Sequence, residues 1–497
     1  MKAGEIIRNL NNPGETLSQR TVRSGFWVFL LRIAQQLFNL GRLVILARIL
    51  APHDFGLMGI ALLTMATIDT FSQTGFQTAL IQKKEDIKSY LDAAWTVLIL
   101  RGLILFTILY LIAPYVAIFF NTPEARPIIQ VIGFAVLFQA FTNIGVIYFQ
   151  KELEFNKQFI YQFAGTLADF VVAVSAVLIL RNVWALVFGL LAGNFARFVV
   201  SYLMHPYKPH LSSDLWKAKE LFGFGKWILG SSILIFLITQ GDDIFVGKLL
   251  GTTALGLYQL AYRISNMPTT EITHVISQVT FPAYSKLQDN IEKLREAYLR
   301  TVKVLAFVAI PTAGIILAIA YPFTQVVLGD KWLPMVAVMQ LLTLQGAMRA
   351  LGASTGPLFQ AIGKPEIGTK LQFLQLMMMA FLIYPFIIHW GIFGAGLTIV
   401  STGIILNFFV YREVLKIIQC SVWDFLKVIY PPVIITGIMI GVVYLANNIF
   451  LSNNLIGLAL MVIMGMFVYL ALSSYIDKKW NYGIFSLIKG SIKEVIR

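Results

Sequence analysis

The chain has 497 residues, of which 58% are hydrophobic and 13% are charged, and its mean hydropathy is +0.75. Soluble globular proteins carry about 25% charged and about 45–50% apolar residues, so this composition excludes a soluble protein. The net charge of +14 is compatible with a nucleic acid, a membrane surface or an anionic substrate as partner. A single cysteine, Cys420, excludes an intrachain disulfide and a cysteine-based metal cluster.

Apolar stretches long enough to cross a membrane recur along the whole chain, since a spanning helix needs about 20 residues. The hydropathy pattern predicts fourteen spans, at 24–48, 55–80, 91–117, 128–149, 159–180, 184–204, 221–247, 254–284, 304–320, 332–360, 371–388, 392–411, 428–446 and 455–476. The loops between them are too short for a soluble catalytic domain. This excludes most enzymes that have a cytosolic or external catalytic module.

Lysine and arginine are concentrated in alternate loops. With the N-terminus in the cytoplasm, cytoplasmic segments hold 27 of the 39 basic residues and outside segments hold 5. This bias predicts a multi-pass protein of the cytoplasmic (inner) membrane with both termini cytoplasmic. Membrane topology and lipid headgroups account for these cations, so no nucleic acid partner is needed. We expect residues 1–23 to form a cytoplasmic N-terminal segment and residues 477–497 a cytoplasmic amphipathic tail.

The sequence contains an internal repeat. Ala47–Leu57 resembles Gly247–Leu257 at an offset of 200, and the same offset pairs Trp27 with Trp227. The repeat predicts an N-lobe over 24–210 (spans 1–6) and a C-lobe over 211–418 (spans 7–12), followed by spans 13 and 14 in 419–476. The predicted fold class is an all-α polytopic membrane protein with about 14 transmembrane helices, in two parallel-repeat six-helix lobes plus two extra C-terminal helices. Parallel repeats of this kind occur in transporters that rock about a central site.

Polar residues share one face in spans 1, 8 and 10, because each helical residue advances by about 100°. A polar face of this kind cannot be exposed to lipid, so we expect a water-filled, cationic cavity between the lobes. Arginine suits phosphate because its planar fork binds oxygen atoms bidentately and keeps its charge. The predicted substrate-binding residues are Arg32, Gln36, Asn39, Arg42, Arg263, Asn266, Thr270 and Arg349.

The same arginines have a second interpretation, which is internal pairing with acidic residues of the spans. Arg42 or Arg263 could pair with Asp242, and Arg263 with Glu271; the other acidic residues available are Asp69, Asp169 and Asp243. Asp242, Glu271 and His274 are also candidates for coupling to a cation, although a lone histidine on a polar face is more often simply hydrogen-bonded. No ATP-binding, metal-binding or hydrolase motif occurs in the sequence. We therefore expect no catalytic residue, no metal and no cofactor, with H⁺ or Na⁺ as a possible coupling ion.

Six segments carry a resemblance to a known family: 46–57, 79–84, 149–155, 255–263, 281–288 and 329–334. They resemble polysaccharide exporters of the colanic-acid and teichuronic-acid type, which form the oligosaccharide-flippase branch of the multidrug/oligosaccharidyl-lipid/polysaccharide exporter superfamily. The resemblance implies fourteen helices in two lobes, alternating access, no ATP hydrolysis and a cationic cavity. It also implies the cargo, a polyprenyl-pyrophosphate-linked glycan that moves from the inner to the outer leaflet.

The predicted function is therefore a lipid-linked oligosaccharide flippase of exopolysaccharide or lipopolysaccharide biosynthesis, and not an enzyme. Its expected partners are the lipid-linked oligosaccharide, membrane lipids, and the glycan polymerase and glycosyltransferases of the same pathway. One alternative is a multidrug or small-solute cation-coupled antiporter, but an exporter of cations should have an acidic or aromatic lining. The other is a membrane glycan polymerase or ligase, which would need a large external loop.

Overall fold

A computed structural model of the chain describes residues 17–73, 76, 80, 87–212, 214–449, 454–480 and 483–486. Throughout these residues the secondary structure is helical and includes no β-strand. The first helices are α1 (Leu17–Ile49), α2 (Pro52–Phe71), α3 (Lys88–Phe119), α4 (Ala125–Phe141), α5 (Ile147–Lys151), α6 (Phe155–Leu180) and α7 (Trp184–Met204). They are followed by α8 (Leu215–Leu250), α9 (Thr252–Leu287), α10 (Ile291–Phe323), α11 (Val336–Leu351), α12 (Thr355–Ala361), α13 (Pro365–Ile417), α14 (Val422–Ile449) and α15 (Leu455–Trp480).

Ten of these helices, extended in places by the adjoining 3₁₀ or π turns, are long and apolar enough to cross a membrane. The number is eleven if the bent pair Ala125–Phe141 and Ile144–Lys151 forms one span. Helices α8 and α9 contain side chains outside the described part of the structure, so the predicted spans 221–247 and 254–284 stay predictions. The polytopic all-α fold is thus confirmed for the described residues, whereas the count of fourteen spans stays a prediction.

Helix α13 has 53 residues and is one of the ten candidate spans, but its helical backbone is interrupted at Gly391. Gly391 has φ 57° and ψ −137°, a left-handed conformation that glycine adopts without the clash of a side chain. This break falls between the two predicted spans 371–388 and 392–411. The helical segments before and after Gly391 are therefore compatible with two separate spans.

Both copies of the repeated segment contain a junction between two helices. In the first copy, Pro52 begins α2, and the Ala51 backbone N–H donates to Asp54 Oδ2 at 3.0 Å. Asp54 Oδ1 also accepts from the Val183 backbone N–H at 3.1 Å, which ties this junction to the start of α7. In the second copy, Gly251 has φ 85° and separates α8 from α9. The sequence repeat therefore marks equivalent turns in the chain.

The chain forms two compact units, Met1–Phe236 and Leu237–Arg497. In the first unit, α6 packs against α7 and α1, and α3 packs against α4. In the second unit, α10 packs against α14 and α11, and α9 packs against α11. The predicted lobes (24–210 and 211–418), the spans in 419–476 and the terminal segments 1–23 and 477–497 stay predictions.

Large apolar side chains cover much of the outside of these helices. Ile179, Leu203, Phe381 and Trp423 are all largely exposed. Such surface is costly in water but matches hydrocarbon, so it agrees with helices that face lipid. Polar side chains that are buried in this setting need internal partners, and those partners define the candidate site.

Candidate functional site

The polar stripe of α1 is turned away from its exposed apolar face. Arg32, Gln36 and Asn39 are half-buried, whereas Ile33 and Leu37 are exposed. Gln35 on the same polar face donates to the Thr166 hydroxyl of α6 at 3.4 Å. The stripe therefore lies beside α6, inside the first unit.

Arg42, at the end of this stripe, forms an ion pair with Asp169 of α6. Arg42 Nη2 lies 3.2 Å from Asp169 Oδ1, and each side chain is 17% exposed. Because a buried charge is expensive unless it is paired, the ion pair stabilises both residues. Asp169, and not Asp242, is thus the partner of Arg42.

A second ion pair in the first unit closes the C-terminal end of α2. Arg101 of α3 donates to Asp69 Oδ1 at 2.5 Å and to the Asp69 carbonyl at 3.0 Å. It also donates through Nε to the Ser72 carbonyl at 2.8 Å. A cation at the end of a helix satisfies carbonyls that have no partner within the helix. Arg101, which was not among the predicted site residues, therefore makes its ion pair and these hydrogen bonds inside the first unit.

Asp69 and Arg101 border a cavity of about 460 Å³, a volume typical of small-molecule sites. Its wall comes from the end of α2, the first half of α3, the end of α4, α5 and the start of α6. The cavity is rich in side-chain amides, which are those of Gln73, Gln139, Asn143, Gln150, Gln158 and Gln162. None of these six was predicted as a site residue. The pair Gln158 and Gln162, with Tyr161 between them, is one helical turn apart and could have been recognised.

In the second unit, α9 and α11 bring two predicted site residues into contact. Arg349 Nη2 donates to the Thr270 hydroxyl at 2.8 Å. Arg349 Nη1 lies 3.4 Å from the hydroxyl of Tyr262, which was not predicted. Among the side chains that the structure describes, no carboxylate lies within ion-pair distance of Arg349. Within the described side chains, the guanidinium is therefore held by neutral hydroxyls.

The other predicted residues of α9 are divided between two environments. Asn266 is buried, with 4% exposure, in the contact between α9 and α11, and its amide donates to the Tyr262 carbonyl at 3.0 Å. Arg263 is exposed. The side chains of Glu271 and His274 lie outside the described part of the structure, so their coupling role stays a prediction.

Two adjacent carboxylates are buried at the contact between α8 and α9. Asp242 is 2% exposed and accepts from the Tyr258 hydroxyl at 2.5 Å. Asp243 is 8% exposed and accepts from the Gln259 amide at 3.0 Å. Within the described residues neither carboxylate has a basic partner, and Asp242 Oδ1 has no hydrogen-bond partner. This site can therefore accept a proton or a small cation.

Comparison with known proteins places the chain in a family. The family model described as "Polysaccharide biosynthesis protein" matches residues 45–337. The lipopolysaccharide biosynthesis protein WzxC of Escherichia coli (strain K12) is 27% identical over 382 residues, which are 76% of each chain. The teichuronic acid biosynthesis protein TuaB of Bacillus subtilis (strain 168) is 25% identical over 404 residues, 80% of this chain and 83% of TuaB.

A solved structure shows a similar fold. The lipid II flippase MurJ in an inward closed conformation superposes with a TM-score of 0.72 at 16% identity, covering 92% of this chain and 99% of MurJ. At this identity the likeness establishes the fold and not the cargo. The matched region covers more than half of the sequence, so this chain belongs to the polysaccharide biosynthesis protein family.

Proposed function

We propose that this protein is a flippase that moves a lipid-linked oligosaccharide across the cytoplasmic membrane during polysaccharide biosynthesis. Three findings support the proposal: the family, the polytopic helical fold shared with the lipid II flippase MurJ, and the charged side chains of Arg42, Asp169, Asp242 and Asp243, which are largely buried among apolar helices. The chain is a transporter in this proposal, and it binds its cargo without a covalent step.

The observation that carries the proposal is the environment of Arg349. A charged side chain within the membrane costs about 3 kcal/mol even on a lenient scale, and it is normally paired. Arg42 is paired with Asp169, but among the described residues Arg349 contacts only the Thr270 and Tyr262 hydroxyls. An anion that binds Arg349 would offset this cost. The pyrophosphate that links a glycan to its lipid is such an anion, and its oxygens fit the guanidinium fork.

The physical task explains why a protein is needed. A glycan headgroup that crosses bare hydrocarbon would lose its hydrogen bonds to water, which makes unassisted crossing prohibitive. A cavity that opens alternately to each side removes this barrier. Arg32, Arg263 and Arg349 would supply the positive charge of this cavity, with Gln36, Asn39 and Thr270 as neutral polar residues. Arg42 is already paired with Asp169, and Asn266 is buried between α9 and α11, so we assign these two a structural role.

Ion coupling forms the second part of the proposal. Asp242 and Asp243 are buried without a basic partner among the described residues, so binding H⁺ or Na⁺ would relieve the cost of their charge. A ligand drives a conformational change only if its affinity differs between the two states. Glu271 and His274 are the further candidates for this coupling.

The same proposal places the protein in its pathway. Glycosyltransferases would deliver the lipid-linked oligosaccharide on the cytoplasmic side, and a glycan polymerase would receive it outside, with both termini of the chain in the cytoplasm. A multidrug antiporter is the competing function for this fold. The sequence relatives favour polysaccharide biosynthesis, and an arginine that has no acidic partner among the described side chains favours an anionic cargo over a cationic drug.

The experiment measures flipping of the host's lipid-linked oligosaccharide in proteoliposomes that contain the full chain. Arg349→Gln should abolish flipping. Arg349→Lys should retain part of it, because lysine keeps the positive charge but lacks the planar guanidinium that binds two oxygens at once. Arg412→Gln, which changes an exposed arginine, serves as the matched control and should behave like the wild type. A wild-type protein that flips no lipid-linked oligosaccharide would refute the function, and an active Arg349→Gln would refute the role of Arg349.

A further inference from the structure

We propose that the amide-lined cavity of the first unit binds neutral sugar rings of the cargo, at the cytoplasmic end of this unit. The inference rests on the proposed function and assigns to this cavity a different part of the cargo from the pyrophosphate. The cavity lies entirely within residues of the first unit.

The charge of the lining excludes the pyrophosphate as its ligand. Asp69 and Arg101 are the charged residues among those that line the cavity, and they pair with each other at 2.5 Å. Arg101 is further occupied by the Ser72 carbonyl. Among the described residues of the wall, a pyrophosphate would therefore meet no positive charge that is not already paired, whereas a neutral polar ligand does not need one.

Several amides of the lining have no partner of their own. Gln158 is 8% exposed, and neither it nor Gln150 and Gln162 makes a side-chain hydrogen bond with any described residue. Gln150 and Gln162 are only half-buried, and all three amides border the cavity. Water or a polar ligand in the cavity can therefore supply their hydrogen bonds.

The remaining polar groups of the wall are held in place. Gln139 donates to Asn194 Oδ1 at 3.0 Å, and Asn143 donates to the Tyr207 carbonyl at 2.6 Å. Gln73 accepts from the Ser232 hydroxyl at 2.9 Å. Such bonds fix the orientation of the side chains in advance, which lowers the entropic cost of binding.

The chemistry of the wall matches a sugar. A sugar hydroxyl both donates and accepts hydrogen bonds, and a glutamine amide also does both through its nitrogen and its oxygen. Phe76, Ile144 and Ile147, which are packed in the core of this unit, form the apolar part of the wall beside these amides. A free polar amide beside an apolar wall is therefore complementary to a neutral saccharide.

The position of the cavity agrees with loading of the cargo. Its wall comes from the end of α2, the first half of α3, the end of α4, α5 and the start of α6, so it reaches inward from the end of α2, the start of α3, the end of α4 and the start of α6. In the topology predicted from the basic residues, all four of these helix ends face the cytoplasm. The cytoplasmic side is where a flippase that exports a glycan must first receive it.

The test measures protection of a cysteine in the cavity by a free saccharide. Gln162→Cys is introduced into a Cys420→Ser background, and the full chain is placed in lipid nanodiscs free of glycoside detergent. A small neutral maleimide then labels the thiol in the presence of the oligosaccharide that mild acid releases from the host's lipid carrier. At about ten times its Kd, the oligosaccharide should slow labelling about tenfold.

Two controls make the result specific. Inorganic pyrophosphate should leave the labelling rate unchanged, and Gln372→Cys, an exposed glutamine of α13, should react at the same rate with and without saccharide. Protection by pyrophosphate but not by oligosaccharide would overturn the assignment. Absence of protection while the wild-type protein flips its cargo would show a cavity filled only by water, and would overturn this inference without touching the proposed function.

The reverse result separates the two proposals. If wild-type proteoliposomes fail to flip the lipid-linked oligosaccharide but the free oligosaccharide protects Gln162→Cys, the sugar site stands and the proposed function falls. A second variant, Gln158→Leu with Gln162→Leu, keeps the volume of the side chains but removes both amides. It should lose protection of a cysteine placed at Gln150 while melting at the wild-type temperature or above, because two unpartnered amides are removed.

Discussion

Arg42 of α1 and Asp169 of α6 face each other at 3.2 Å within the first unit, and only 17% of each side chain is exposed. Asp169 also contacts the surface where α6 meets α7, because a Cβ atom added to Gly193 would lie 3.0 Å from Asp169 Cβ. One ion pair thus lies where three helices, α1, α6 and α7, come together.

Removing one member of this pair should destabilise the protein. Loss of one partner from a buried ion pair costs about 3–5 kcal/mol, because the other charge is left without compensation. Arg42→Gln and Asp169→Asn should each lower the melting temperature of the purified full chain, and the double change should cost less than the sum of both. Additive losses would show that the two charges do not stabilise each other.

Gly165 of α6 and Gly193 of α7 allow these helices to approach closely. A Cβ atom on either residue would lie 2.9 Å from the backbone oxygen of the other, so the helices would have to separate. Overpacking of this kind costs about 1–3 kcal/mol. Gly193→Ala should therefore lower the melting temperature.

The matched control for this change is Gly437→Ala, within α14. Nothing lies within 4 Å of a Cβ atom at Gly437, and alanine favours a helix over glycine by about 1 kcal/mol. This control should melt at the wild-type temperature or slightly above it. Equal losses in both variants would contradict the close approach of α6 and α7.

Asp242 offers a test of ion coupling. Its carboxylate is 2% exposed and accepts from the Tyr258 hydroxyl, so Asp242→Asn removes the charge but keeps the shape. We expect this variant to lose the stimulation of flipping by an imposed proton or sodium gradient. Asp424→Asn changes an exposed carboxylate and should keep the stimulation. If Asp242→Asn responds to the gradient as the wild type does, the coupling group lies elsewhere.

Cys420 reports on membrane orientation. It lies in the turn between α13 and α14, on the predicted cytoplasmic side, whereas Lys331 lies on the predicted outer side. In intact cells a membrane-impermeant maleimide should label Lys331→Cys in a Cys420→Ser background, and should leave Cys420 of the wild type unlabelled. The opposite pattern would reverse the topology.

The same thiol has a predictable pH dependence after the cells are permeabilised. Burial, and then the charge of Asp424, raise the pKa of Cys420 above its ordinary value of 9.0. Because the thiolate is the reactive form, a raised pKa keeps the reaction slow near neutral pH. The labelling rate should continue to rise with pH beyond 9.0. A rate that levels off below that pH would show a thiol with a lowered pKa.

The sequence by itself determined the class of the molecule and several of its turns. Hydropathy predicts a polytopic helical membrane protein because a span needs only a sufficient run of apolar residues, which is a local property. The turn before Pro52, the glycine turn at Gly251 and the break at Gly391 are local in the same way. The family could also be recognised from short segments, and the match over 45–337 confirms it.

Only the tertiary structure decided which polar groups meet. Helical periodicity shows that Arg42 lies on a polar face, but it cannot distinguish Asp169 from Asp242 as its partner. Likewise, Gln73, Gln139, Gln150 and Gln158 come from four separate segments, so no stripe on a single helix reveals their shared cavity. The physical reason is that a hydrogen bond or an ion pair needs contact within a few ångströms. Such contact depends on how helices distant in sequence pack, and not on the period of any one of them.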